Sequence, residues 1–220
     1  MTAPERPATL TVNEIYASIQ GESSYAGLPC VFLRLTGCAL RCVWCDSTHT
    51  FHEGERRPVP EVLREVRSYG LPLVEVTGGE PLLQKAVLPV ITALLDEGRT
   101  VLVETGGDQD ISPVDPRAVV VMDIKAPGSG MSDRMDLANL DRLRPHHEVK
   151  FVLADRADYE WARGFIRDHG LSSRARLLIG PVHGVLDPAV LAGWILEDAL
   201  PVRFQIQLHK VVWNPEERRR

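Results

Sequence analysis

The sequence has no apolar run long enough to cross a bilayer, and its opening Met1-Thr-Ala-Pro-Glu-Arg-Pro7 has none of the hydrophobic stretch of a secretory signal. The expectation is therefore a protein of the cytoplasm, without a membrane partner. Basic excess is also missing: 25 Lys and Arg face 30 Asp and Glu, for a net charge of −5, so no field exists to draw in a nucleic-acid backbone. The one basic cluster, Arg218-Arg219-Arg220, follows Glu216-Glu217 and is expected to fray in solvent. No internal repeat and no low-complexity linker interrupts the chain. Its 220 residues, 44% of them hydrophobic, fit a single domain over 1–220, with 1–9 and 216–220 flexible. Cysteine is scarce as well. Four are present and no second Cys-x2-Cys pair exists, which argues against the closed four-ligand sites of structural zinc and against a disulfide knot.

Three of the four cysteines nevertheless crowd into Gly37-Cys-Ala-Leu-Arg-Cys-Val-Trp-Cys-Asp46, as Cys38, Cys42 and Cys45. Three thiolates on one short loop can hold three corners of a cubane iron–sulfur cluster, whereas a fully protein-ligated cluster takes four. The iron left over is open to a substrate or cofactor. Zinc is the alternative ligand for such a loop. Cys30 stands apart, opening the apolar run Val31-Phe-Leu33, and reads as a small buried hydrophobe. Free thiols and an oxygen-sensitive site both call for a reducing compartment.

From Pro29 onward, β-rich runs alternate with helical ones. The strands expected are 31–36, 73–77, 100–104, 118–124, 148–153, 176–179 and 202–208, dense in Val, Ile and Leu as in sheets covered on both faces. The helices expected are 60–69, ending before Gly70, 83–97 with Pro89 at a kink or its true start, 158–169, and 188–198 behind the N-cap Asp187; a weaker one covers 136–143. The run 10–20 is expected to add an edge strand. This pattern predicts an α/β fold, an open partial (β/α) barrel of about six parallel strands with abbreviated helices. In such folds chemistry collects at the C-terminal ends of the strands. The cysteine loop, Thr77-Gly-Gly-Glu-Pro81, Glu104-Thr-Gly-Gly107, Asp123-Ile-Lys125 and Gly180-Pro-Val-His183 all follow strands, and Gln205, Gln207 and His209 fall along the last.

Each of these motifs has a plain structural reading. The glycine runs are ordinary strand-to-helix turns, or places where backbone approaches a ligand. Asp123 and Lys125 are either a rim ion pair or ligand-orienting groups. Arg34 interrupts Val31-Phe-Leu-Arg-Leu-Thr36, where a buried strand should be apolar, so its charge must be paired. Its partner is either a core carboxylate such as Glu14 or Glu22, or the carboxylate of a substrate. Ile19-Gln-Gly-Glu22 carries amide and backbone groups suited to the edge of a planar heterocycle. His52, His146, His147, His169 and His183 have no motif around them and read mostly as surface or packing residues; His209 lies at the last rim, where a structural and a catalytic role are equally open.

The Cys-x3-Cys-x2-Cys spacing, with Trp44 just before the last cysteine and the Thr77–Pro81 turn one strand later, resembles the radical S-adenosylmethionine (SAM) superfamily. Glu14-Ile-Tyr-Ala-Ser-Ile-Gln-Gly-Glu22, Arg34, Cys45-Asp-Ser47 and Gln207-Leu-His-Lys210, in that order along most of the chain, narrow the resemblance to the 7-carboxy-7-deazaguanine synthase family. The resemblance implies a radical SAM lyase that converts 6-carboxy-5,6,7,8-tetrahydropterin to 7-carboxy-7-deazaguanine by hydrogen abstraction and ring contraction with loss of ammonia, in queuosine and deazapurine biosynthesis. It implies a 4Fe–4S cluster, SAM and Mg2+ as cofactors, a homodimer, and a flavodoxin-type reductant. Carried onto this sequence, Cys38, Cys42 and Cys45 hold the cluster and Ser47, or Thr48, offers a hydroxyl to Mg2+. Ile19, Gln20, Gly21, Arg34, Thr77 and Pro215 hold the pterin. Trp44, Gly79, Asp123, Ile124 and Lys125 contact SAM, and Glu104–Gly107 faces its ribose or methionine part. A glycyl-radical-enzyme activating protein, which shares the cysteine loop, and a non-catalytic iron–sulfur electron carrier are the competing readings.

Overall fold

The fold is taken from a computed structural model that describes residues 7–214 and 218–219. Nine strands form one open sheet: β1 (Thr9–Ile19), β2 (Pro29–Leu35), β3 (Glu55–Pro58), β4 (Leu73–Gly78), β5 (Thr100–Thr105), β6 (Val119–Asp123), β7 (Glu148–Leu153), β8 (Arg176–Pro181) and β9 (Arg203–Phe204), in the order β3-β1-β2-β4-β5-β6-β7-β8-β9. The seven strands from β2 to β9, without β3, pair in parallel, one more than expected. β1 runs antiparallel to both β2 and β3. It is not an edge strand, because Glu55–Pro58, unmarked by any apolar pattern, covers its outer side. Its first residue, Thr9, pairs with Pro58, inside the stretch expected to be flexible.

Helices α1 (Val59–Ser68), α2 (Val87–Asp96), α3 (Arg156–Asp168) and α4 (Pro188–Glu197) follow β3, β4, β7 and β8. Each obeys a local rule. The first buries Val62 and Val66 on one face and stops just before Gly70, whose φ of +68° suits glycine. The third and fourth start at Asp155 and Asp187, whose carboxylates accept the N–H groups of Asp158 and Ala189. The connection from β5 to β6 holds no helix and that from β6 to β7 only short 3-10 turns, of which 137–142 is one rather than an α-helix. The expected helix at 83–97 divides into a 3-10 turn at Pro81–Leu83 and α2, which places Pro89 in the first turn of the true helix.

Strand side chains alternate between two faces. One face, with Val31, Leu33, Val74, Val76, Val101, Val103, Val149 and Phe151, packs against the helices as the main core. The other carries a small apolar layer of Tyr16, Cys30, Phe32, Leu73, Leu102 and Val119. Further toward the strand ends that same face turns polar, at Arg34, Glu75, Thr77, Glu104, Asp123 and Lys150. A polar floor bounded by apolar packing on one side is what a binding cleft requires.

The last expected strand is the shortest. After Phe204 the Gln205 N–H still reaches the Ile179 carbonyl, but the Leu208 N–H goes to the Gly21 carbonyl at 2.9 Å. The chain thus leaves the sheet, crosses toward the turn after β1, and forms the single helical turn α5 (His209–Val212). Gln207 and His209 lie on this crossing and not along a strand.

Candidate active site

A cleft of about 730 Å³ opens at the C-terminal ends of the parallel strands. Cys38, Cys42, Cys45, Trp44, Ser47 and Thr48 line one side of it; Ile19, Gln20, Gly21, Arg34 and Thr77 line another; Gly79, Asp123, Ile124 and Lys125 complete the wall. The site residues that the resemblance implies therefore meet there, except Pro215, which lies outside the described residues, and Thr105 and Gly107 of the Glu104–Gly107 turn; Gln205, expected at the rim, does not line the cleft either. A second cavity of about 350 Å³, near Val114 and Arg142, includes none of them.

The cysteine loop rests on the Thr77–Pro81 turn. The Glu80 N–H donates to the Gly37 carbonyl at 2.7 Å, and the Gly79 N–H to Leu35 at 3.1 Å. Glu80 itself is buried and accepts from the N–H groups of Leu82 and Gly106 and from the Thr105 hydroxyl, at 2.7 to 2.9 Å. Burial outweighs these three donors and raises its carboxyl to about 7.

Arg34 keeps both readings open to it. Its Nε donates to Glu14 at 2.9 Å and its Nη2 to the Tyr16 hydroxyl at 3.1 Å, and it faces the cleft. Burial works against its charge, but Tyr16 and Glu14 outweigh it, so the guanidinium stays ionised. Gln20 is buried with its side chain consumed: the amide donates to Glu75 and the carbonyl accepts the Glu22 N–H at 3.0 Å.

At the floor stands a buried hub that the sequence reading passed over. Lys150, 4% exposed, pairs with Glu22 at 2.7 Å, with Asp123 at 3.4 Å and with Glu104. Burial pulls its ammonium down, but the three carboxylates more than restore it. Burial pushes Glu104 up, and Lys150 overrides this and holds it down at about 2. Glu75, in no ion pair among the described residues, is pushed well up by burial and then by Glu104. The signal was present in Glu148-Val-Lys-Phe-Val-Leu153 and Leu73-Val-Glu-Val-Thr77: a charge inside an apolar strand, the feature that drew attention to Arg34.

The Gln207–Lys210 crossing borders the cleft through Gln207, His209 and Lys210. Lys210 pairs with Asp46 at 2.7 Å, and Gln207 donates to Glu22 at 2.9 Å and to Asp46 at 3.2 Å. A Cβ at Gly21 would lie 2.1 Å from His209 Nδ1, so glycine is needed for this approach. Arg218 and Arg219, expected to fray, instead reach Glu53 at 2.7 Å and Glu14 at 3.4 Å, because carboxylates on that rim attract them. Of the histidines without motif support, His147 is buried and His183 is exposed at the cleft wall.

Comparison with known proteins decides what this cleft belongs to. The Radical SAM superfamily pattern matches residues 33–115. The 7-carboxy-7-deazaguanine synthase of Chlorobaculum tepidum is 46% identical over 96% of this chain and 97% of its own length. The chain belongs to the 7-carboxy-7-deazaguanine synthase family. The synthase of Koribacter versatilis is similarly close, 45% identical over 94% of this chain and 98% of its own. The crystal structure of QueE from Escherichia coli shares the fold, with a TM-score of 0.75 over 91% of this chain and 95% of that one at 20% identity. The chain is thus a radical SAM enzyme, and the activating-protein and electron-carrier readings fall away.

Family membership implies a 4Fe–4S cluster and SAM. The donor set fits. Cys38, Cys42 and Cys45 are free, half-buried thiols on one wall of the cleft. Burial raises the Cys38 and Cys42 thiols, and at Cys42 the nearby Lys125 charge opposes it. Loading a cluster therefore releases protons from this loop. Lys125 remains charged against burial because Asp123, at 2.5 Å, and Cys42 favour the cation. No helix among the described residues is long and apolar enough to cross a membrane.

Proposed function

We propose that this enzyme contracts the ring of 6-carboxy-5,6,7,8-tetrahydropterin to 7-carboxy-7-deazaguanine, with loss of ammonia, in queuosine and deazapurine biosynthesis. One observation carries the reading: the cysteine loop and the Arg34–Glu14 and Ile19–Glu22 wall face the same cleft in a chain 46% identical to such a synthase. When bound, a cluster held by Cys38, Cys42 and Cys45, together with SAM, would supply radical hydrogen abstraction from the substrate.

The chain's own residues orient and enclose. Arg34, fixed by Glu14 and Tyr16, offers its remaining N–H groups to the substrate carboxylate. Ile19, Gly21 and Thr77 bound the heterocycle, while Gln20 acts from behind by orienting Glu75. Trp44, Gly79 and Asp123–Lys125 bound SAM. Ser47, whose hydroxyl donates to Asp46 Oδ1 at 3.1 Å, is the hard oxygen offered to Mg2+, with Thr48 adjacent. The Gln207–Lys210 crossing keeps water from the site of abstraction. We assign the chain to the cytoplasm as one domain working in a homodimer, with a flavodoxin-type protein as reductant.

The test is anaerobic incubation with SAM, dithionite and the carboxypterin, followed by mass spectrometry for 5′-deoxyadenosine and the deazaguanine. A cluster-replete preparation that makes neither product defeats the proposal. Arg34→Ala is expected to weaken carboxypterin binding about 10- to 100-fold, the worth of a charge-assisted hydrogen-bond pair. SAM binding, measured by calorimetry, should change little.

A further inference from the structure

Arg41 lies between Cys38 and Cys42, in an exposed position, yet its side chain is held in place. Its Nη1 donates to the carbonyl oxygens of Cys38 at 2.8 Å and Leu40 at 2.7 Å. The guanidinium carbon stands 4.1 Å from the centre of the Phe51 ring. The Arg41 backbone N–H faces Met131 Sδ at 3.3 Å. A surface arginine free in water keeps considerable rotamer entropy, so three simultaneous contacts must return more than that loss.

The contacts have a direction. Two carbonyl oxygens of the loop turn to the guanidinium, and the peptide N–H of Leu40 turns to Cys38 Sγ at 3.4 Å. The loop therefore presents one N–H dipole to the Cys38 sulfur, with a cation bonded to the backbone carbonyl of that same ligand residue. Hydrogen bonds to sulfur and local net charge are the levers by which a protein sets an iron–sulfur potential. An arginine cannot give up its proton, so this charge is permanent. The reduced cluster carries one more negative charge than the oxidised one, and a neighbouring cation favours it.

We propose that Arg41 is a positioning residue for the iron–sulfur cluster: it preforms the three-cysteine loop by clasping the Cys38 and Leu40 carbonyls against Phe51, and its charge makes the cluster easier to reduce. This rests on the cluster part of the functional reading and not on the pterin.

The experiment compares anaerobically reconstituted wild type, Arg41→Gln and Arg41→Lys by redox titration followed by electron paramagnetic resonance, and by iron release to a chelator. Arg41→Gln should lower the reduced-to-oxidised ratio at a fixed potential about tenfold, equivalent to about 59 mV for a one-electron couple, and lose iron several-fold faster. Arg41→Lys keeps the charge but not the planar fork; it should hold a near-wild-type potential while losing iron as fast as Arg41→Gln. A wild-type potential in Arg41→Gln overturns the proposal, even with faster iron loss. If Arg41→Gln cannot be loaded, the full drop appearing in Arg41→Lys overturns it instead. Neither readout uses turnover. A wild type that loads a cluster but leaves the carboxypterin unchanged defeats the functional proposal alone, and one that takes up no cluster defeats both.

Discussion

A Cβ added at Gly79 would stand 2.3 Å from the Gly37 carbonyl oxygen and 2.8 Å from Cys38 Cβ, so any larger residue there must push the cysteine loop off the turn beneath it. Gly79→Ala is expected to cost about 1–3 kcal/mol in stability through overpacking and, more tellingly, to lower iron uptake. Iron content per chain after reconstitution checks this; full loading refutes it. Glu80, next in sequence, gives a prediction with a sign. Its carboxyl is raised from 4.5 to about 7 in the folded chain, so between those values the native state holds a proton that the unfolded state has lost. Stability contributed by this group is present below pH 4.5 and is lost as pH rises through 7, by roughly 2–3 kcal/mol. Denaturation of wild type and Glu80→Gln at pH 5 and pH 8 should show the variant gaining that much relative to wild type at the higher pH. A pH-independent difference refutes the assignment. The charges at Arg34, Glu75 and Lys150 were all visible as interruptions of apolar strands. Glu14 was among the partners expected for Arg34, and it is the one found; the partners of Lys150 were not legible, since Glu22, Glu104 and Asp123 come from other elements and only folding assembles them.

Elements differ in how far their sequences declare them. The central parallel strands are short runs rich in Val and Leu, broken only by single polar or charged residues, and their positions follow from composition alone. β3 pairs only four residues, Glu55-Arg-Arg-Pro58, and exists because β1 offers it a free edge; no apolar period marks it. The final strand fails for the converse reason. Its residues suit a strand, but after Phe204 the Leu208 N–H finds the Gly21 carbonyl instead of β8. Pro89 illustrates how capping settles a boundary. Third in α2, it falls where backbone N–H groups have no intrahelical acceptor, so its missing N–H leaves nothing unpaired. Pro89→Ala should therefore change stability by less than about 0.5 kcal/mol, whereas Ala93→Pro, a turn further in, should cost about 3 kcal/mol or more. Urea midpoints of the two variants distinguish this placement from a kink within one long helix, for which Pro89→Ala would be clearly stabilising.

At the scale of the whole molecule, Lys150 joins what the chain order separates. It stands on β7 and binds carboxylates from the turn after β1, from β5 and from β6, so a single ammonium ties the substrate wall at Glu22 to the segment Asp123–Lys125 assigned to SAM. Removing it strands Glu22 and Glu104, while Asp123 keeps Lys125, in a site where burial already raises Glu75. Lys150→Met keeps most of the stem's volume and deletes the charge. Breaking a buried pair in this way costs about 3–5 kcal/mol near neutral pH. The cost must depend on pH in a set direction. In wild type Glu104 is held at about 2 against an ordinary 4.5, so its contribution is present above pH 4.5 and is lost as pH falls toward 2. In the variant that contribution is already gone, and its stranded carboxylates are relieved by protonation. The stability gap between wild type and Lys150→Met should accordingly be widest above pH 5 and shrink by more than half by pH 3, read from denaturant midpoints across that range. A gap that stays constant would mean that Lys150 contributes packing alone, and that the two halves of the cleft are held together by the sheet and not by this charge.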